Sequence, residues 1–81
     1  MTYADVVALR LSQLCNEKGI TLNRLATLSG ITQSTLQNIM SKKTKNPKLK
    51  TLHKIAVGLQ MTVSELLDFP EINVEKLDDE D

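Results

Sequence analysis

The chain has almost no aromatic side chains. Its 81 residues include one tyrosine, one phenylalanine and no tryptophan, so Leu, Ile, Val, Ala and Met must fill whatever core it has. Small helical bundles are built this way. A single cysteine, Cys15, excludes an internal disulfide, and with one histidine, His53, there is no thiol and imidazole set for a zinc site. No stretch approaches the roughly 18 consecutive apolar residues of a membrane span, and the N-terminus lacks the charged start and apolar run of a signal peptide. A soluble protein of the reducing cytoplasm is expected. There is also no Ser-His-Asp set, no carboxylate pair beside a cleft, no glycine-rich phosphate loop and no metal-ligand cluster, so neither catalysis nor a cofactor is expected. A chain this short buries only about 60 to 65% of its unfolded surface, enough for one domain and one core.

Acidic residues are missing from the middle of the chain. The formal net charge is zero, with ten basic and ten acidic residues. Yet between Lys18 and Ser64 stand Lys18, Arg24, Lys42, Lys43, Lys45, Lys48, Lys50 and Lys54, without one Asp or Glu. From Glu65 onward the balance reverses, with Lys76 alone against Glu65, Asp68, Glu71, Glu75, Asp78, Asp79, Glu80 and Asp81. The zero total is therefore a cancellation, and the basic half implies an anionic partner.

What is present reads as five helices in an all-α, compact bundle. The first spans about Tyr3 to Lys18, with Val7, Leu11 and Leu14 on one face and Gly19 as its stop. Thr21 is the expected N-cap of a second helix, with Leu25 and Leu28 inward and Gly30 at its end. Thr32 caps a third helix, with Leu36, Ile39 and Met40 inward. The basic loop SKKTKNPK follows, and Pro47 forbids its continuation as helix. A fourth helix carries Leu49, Leu52, Ile55, Ala56 and Leu59. Thr62 caps a short fifth helix with Leu66 and Leu67, which Pro70 is expected to end.

The chemistry concentrates between Thr21 and Met40. Two short helices flank a tight connection in which Gly30 can take a left-handed backbone angle, and Ala26 lets the helices approach. Those are the steric needs of a helix-turn-helix. The outward face of the third helix carries Gln33, Ser34, Gln37, Asn38 and Ser41. Ordinary exposed helix faces carry Lys and Glu; this one is uncharged but dense in donors and acceptors. An amide presents both at once, the arrangement that reads adenine in the major groove, and an acid there would repel phosphate. Lysines follow at once, placed where a loop leaving a groove-bound helix meets the DNA backbone. A solvated helix face and a solubilising loop are the bland alternatives. Cys15 reads as a core residue and His53 as a surface one.

GITLNRLATLSGITQSTLQNI, SKKTKNPKLKTLHKIAVGL and MTVSELL together resemble the Cro/CI-type, or XRE-like, helix-turn-helix domain over roughly Val7 to Leu67, including a KTK-x-P loop like that of lambdoid phage repressors. The resemblance implies a lambda-repressor-like domain that binds double-stranded DNA as a two-fold homodimer and regulates transcription, by expectation as a repressor. By position it implies base contacts from Gln33, Ser34, Gln37 and Asn38. Phosphate contacts would fall to Thr21, Lys43, Thr44, Lys45, Asn46 and Lys48. Leu22 departs from the family pattern: many members have a Gln there that touches phosphate and braces the recognition helix. The alternative function is a protein-interaction adaptor or antitoxin-like module on the same fold.

The domain is expected over residues 1–69, with an acidic tail over 70–81. That tail has three readings: a solvated mobile end, a dimer contact through Phe69, Ile72, Val74 and Leu77, or a competitor for the basic loop. A short extended arm after Pro70 is allowed by the alternation of Ile72 and Val74. A chain from Met1 to a charged end reads as a complete small protein, with a piece of a longer repressor as the alternative. No membrane partner or small-molecule ligand is expected.

Overall fold

A computed structural model describes residues 1–74 and 76–78. It is helical, in the order α1 (Tyr3–Lys18), α2 (Leu22–Ser29), α3 (Gln33–Met40), α4 (Leu49–Gly58), α5 (Val63–Leu66) and α6 (Pro70–Asn73). Threonine opens four of these helices. Thr2 and Thr62 form capping boxes with Asp5 and Glu65, while the Thr21 and Thr32 hydroxyls accept from the amides of Arg24 and Thr35. Each supplies an acceptor for an amide that the helix itself cannot satisfy. Gly19 and Gly30 stop α1 and α2 at φ 65° and 66°, the left-handed region that a side chain would disfavour.

Helical periodicity places the core. On α1 the buried Ala4, Val7, Ala8, Leu11, Leu14 and Cys15 recur at three- and four-residue spacing and form one stripe. Leu25 and Ala26 of α2, Leu36 and Ile39 of α3, Ile55 and Ala56 of α4, Leu59 and Leu66 meet it. α2 packs most extensively on α4. The contact is close because α4 ends in Gly58, where a Cβ would stand 2.5 Å from Ser29 Oγ and 2.9 Å from the Ser29 amide nitrogen. Arg10 ties α1 to the end of α5. Its guanidinium donates to the carbonyls of Leu66 (2.8 Å) and Glu65 (2.9 Å), and it lies 5.2 Å from the centre of the Phe69 ring.

Four expectations need correction. The helices are six among the described residues, not five. α5 ends at Leu66, and Pro70 opens α6 instead of ending α5, because a residue without an amide hydrogen costs nothing at the first helical position. Leu28 and Leu49 do not face inward: they are 41% and 68% exposed, since neighbouring Leu25, Ala26 and Leu52 already occupy the interior flank. The expected extended arm after Pro70 is instead helical over Pro70–Asn73. Phe69 is buried, and the Asp78 amide donates to the Met1 carbonyl at 3.0 Å, with a one-residue parallel bridge to Thr2. Glu75, Asp79, Glu80 and Asp81, on which the competitor reading partly depends, lie outside the described residues.

Candidate nucleic-acid interface

α3 is anchored through Leu36 and Ile39, each 2% exposed, and everything else follows from that anchor. At about 100° per residue, Gln33, Ser34, Gln37 and Asn38 fall within an arc of roughly 140° directed away from the anchors. All four are exposed, as is Ser41 at the C-cap on the same arc. The side-chain amides of Gln33, Gln37 and Asn38 form no hydrogen bond among the described residues, so their donors and acceptors remain open to a base edge. The sequence-derived base-reading set thus shares one face.

The N-terminus of α2 stands beside one edge of this face. Leu22 and Asn23 line a hollow of about 260 Å³ with Gln33, Ser34 and Gln37. Thr21 uses its hydroxyl oxygen as the cap of α2, accepting from the Arg24 amide at 3.1 Å, which leaves its hydroxyl hydrogen and the amides of Leu22 and Asn23 as donors. Leu22 is half-buried against the core. An apolar contact therefore stands where the family pattern places a polar brace. Asn23, which sequence reasoning did not single out, borders this candidate face. Nothing in the α2 pattern distinguishes it, and only the angle between α2 and α3 brings it beside Gln33.

The basic loop is folded back onto the end of α3. Ser41, Lys42 and Thr44 donate their amides to the carbonyls of Gln37, Ile39 and Asn38 at 2.9, 3.1 and 3.1 Å. Lys42 takes φ 68°, an angle disfavoured for a residue with a side chain, and its ammonium lies 3.1 Å from the Asp5 carboxylate. Lys42 thus serves the fold, whereas Lys43, Lys45, Asn46 and Lys48 are exposed and Thr44 is half-buried. The Thr2 amide, followed by the Lys42 ammonium, lowers the Asp5 carboxyl from 3.8 to about 2, keeping this pin charged at any neutral pH. The sequence-derived phosphate set divides in space: Thr21 lies on the α2 side of α3, and the remainder on the loop side.

Elsewhere the chemistry is sparse. Cys15 is buried, which pushes its thiol up, and His53 is exposed. Among the described residues no three His, Cys, Asp or Glu side chains stand close enough to share a metal ion. No helix among them is long and apolar enough to cross a membrane.

Known proteins share this arrangement. The family profile described as the Cro/C1-type HTH DNA-binding domain matches residues 10–71. The HTH-type transcriptional regulator SinR of Bacillus subtilis (strain 168) is 33% identical over 63 residues, covering 78% of this chain; the chain spans 57% of that relative's length. The crystal structure of the prophage Lp1 protein 11 superposes with a TM-score of 0.81 at 33% identity, over 90% of this chain and 96% of its own. The N-terminal DNA binding domain of SinR from Bacillus subtilis superposes with a TM-score of 0.68 at 33% identity, over 78% of this chain and 91% of its own. The helical arrangement around α2 and α3 thus has its counterpart in solved structures, the second of them a DNA binding domain. The chain belongs to the Cro/C1-type helix-turn-helix family of DNA-binding, transcription-regulator domains.

Proposed function

We propose that this domain binds a short two-fold operator as a homodimer and represses transcription in the cytoplasm by occupying a promoter. One observation carries the reading: an uncharged, hydrogen-bonding α3 face is bordered by an open helix N-terminus and a lysine loop, within a stretch free of acids. In this reading Gln33, Ser34, Gln37 and Asn38 meet base edges in the major groove. Thr21, Lys43, Thr44, Lys45, Asn46 and Lys48 meet phosphates, which position the helix without specifying sequence. Two such domains reach successive major grooves when their recognition helices lie one turn of DNA apart, roughly 34 to 36 Å.

Fluorescence anisotropy tests this, using duplex DNA from the region upstream of the coding sequence and a scrambled control over a salt titration. The expected result is a native-sequence advantage of at least about a thousandfold, with two protomers per duplex. If no upstream or selected random duplex gains over the control, operator recognition is refuted. One protomer per duplex at saturation refutes the homodimer.

A further inference from the structure

The hollow of about 260 Å³ between the starts of α2 and α3 is lined by two chemistries. Asn23, Gln33, Ser34 and Gln37 are exposed and polar, whereas Leu22 is half-buried and Leu36 is 2% exposed. Its rim is therefore polar and its floor apolar. We infer that this hollow takes the C5-methyl group of a pyrimidine in the operator, which makes Leu22 a specificity-determining residue. The inference rests on the proposed reading of α3 as a groove-bound helix and carries specificity onto α2.

Chemistry is the first argument. A phosphate gains nothing from Leu22, whose side chain offers neither charge nor a donor. Base edges in the major groove present donors, acceptors and one apolar group, the methyl on C5 of thymine. The base 5-methylcytosine carries the same methyl on the same ring atom. Beside a face otherwise made of amides and hydroxyls, the Leu22 floor is the apolar counterpart of that group. In the free domain this floor is partly wet, and a methyl seated on it removes both apolar surfaces from water.

Placement is the second argument. Gln33 and Gln37 carry amides suited to adenine, and every adenine brings a thymine methyl to the same base pair. That methyl is the outermost group on the pair's major-groove edge, beside the backbone of its own strand. The hollow occupies the matching position, between Gln33 on the base-reading face and the α2 N-terminus, whose free amides suit phosphate. Its walls are held before any ligand arrives. Thr21 accepts from the Arg24 amide at 3.1 Å and Thr32 from the Thr35 amide at 3.0 Å, which fixes both helix starts. Buried Leu36 anchors α3 beneath them. A contact worth a single methyl needs such a preorganised seat, because it cannot offset the cost of ordering one.

The test places the full chain and Leu22→Ala in the anisotropy assay with modified operators. Each thymine is exchanged in turn for deoxyuridine, which deletes the methyl alone, and each cytosine for 5-methylcytosine, which adds it. Both half-sites are changed together. Burying one methyl is worth about fourfold in affinity, so a symmetric exchange should shift Kd by roughly fifteenfold. Loss at a deoxyuridine position identifies thymine as the occupant; gain at a methylated cytosine identifies 5-methylcytosine. Either shift should shrink to less than about twofold in Leu22→Ala and persist in Leu22→Met, which keeps the apolar floor. Far-UV circular dichroism verifies that both variants are folded, and the wild-type exchanges decide the matter even if Leu22→Ala unfolds. Wild-type specificity without a methyl-dependent position, or a methyl effect untouched by Leu22→Ala, overturns the hollow and leaves the reading of α3 intact. Absence of sequence-specific wild-type binding to any duplex overturns both.

Discussion

Replacing Gly58 by Ala tests what fixes the helix-turn-helix against the rest of the domain. In an exposed helix this change stabilises by about 1 kcal/mol, because alanine restricts the unfolded chain and shields the backbone. Here the added Cβ would stand 2.5 Å from Ser29 Oγ, 2.9 Å from the Ser29 nitrogen and 3.0 Å from the Leu28 carbonyl carbon. Two of those atoms are backbone and cannot rotate away, so α2 and α4 must separate. Overpacking costs about 1 to 3 kcal/mol, and a clash against backbone belongs at the upper end. The expected net loss is about 1 to 2 kcal/mol, or roughly 5 to 15 °C in Tm for a domain of this size. Ser29→Ala separates the two kinds of contact. The Ser29 hydroxyl is buried and has no hydrogen-bond partner among the described residues, so its removal should stabilise by about 1 kcal/mol. In that background Gly58→Ala should cost less, yet remain unfavourable because the backbone contacts persist. Urea unfolding followed by far-UV circular dichroism gives all four corners of the cycle. A Gly58→Ala protein as stable as wild type would refute the close-packing argument.

Three further outcomes follow from the interface and its supports. Gln33→Ala should cost about 1 to 3 kcal/mol on the preferred operator and relax preference at one base pair; equal loss on every duplex in the anisotropy assay would remove Gln33 from the base-reading set. Asp5 has a folded carboxyl near 2 against 3.8, held down by the Thr2 amide and then by Lys42, so its stabilisation is complete above 3.8 and lost as pH falls towards 2. The urea midpoint of Asp5→Asn should therefore fall less than that of wild type over this window, and parallel curves would refute the pin. Lys50→Glu should raise unfolding stability by about 0.3 to 1 kcal/mol at low salt by reversing an unfavourable charge in the first turn of α4, while weakening duplex binding. An unchanged or lower urea midpoint would show that the dipole argument fails there.

Much of this was legible because the signals are local. The Thr21 and Thr32 caps and the Gly19 and Gly30 stops stand where they were expected, since each satisfies or relieves a backbone group within one turn. The outward face of α3 could be read for the same reason: once Leu36 and Ile39 are anchors, helical geometry places the four polar residues. What was not legible depends on how helices meet. Leu28 fits an apolar pattern yet is exposed, because Leu25 and Ala26 fill the space against α4. Nothing in the spacing of α4 marks Gly58 as a contact point, and only the fold sets it against Ser29. Asn23 and Gln33 line one hollow although they are well separated in sequence, and no spacing rule links them. Pro70 was ambiguous by nature, since proline ends one helix as readily as it begins another.

The cations show why sequence charge alone understates the site. Arg10 and Lys42 count towards the basic total but are engaged within the fold, one with the α5 carbonyls and the Phe69 ring, the other with Asp5. Both sit where they relieve a local cost. Lys48 and Lys50 sit where they create one, at the uncapped start of α4, as does the charge-free exposed face of α3 in forgoing every cross-turn ion pair. Departures from local stability that gather on one surface mark a surface shaped for something other than folding. Here they lie on and beside α3, and a polyanion with hydrogen-bonding edges is the kind of partner that would relieve each of them.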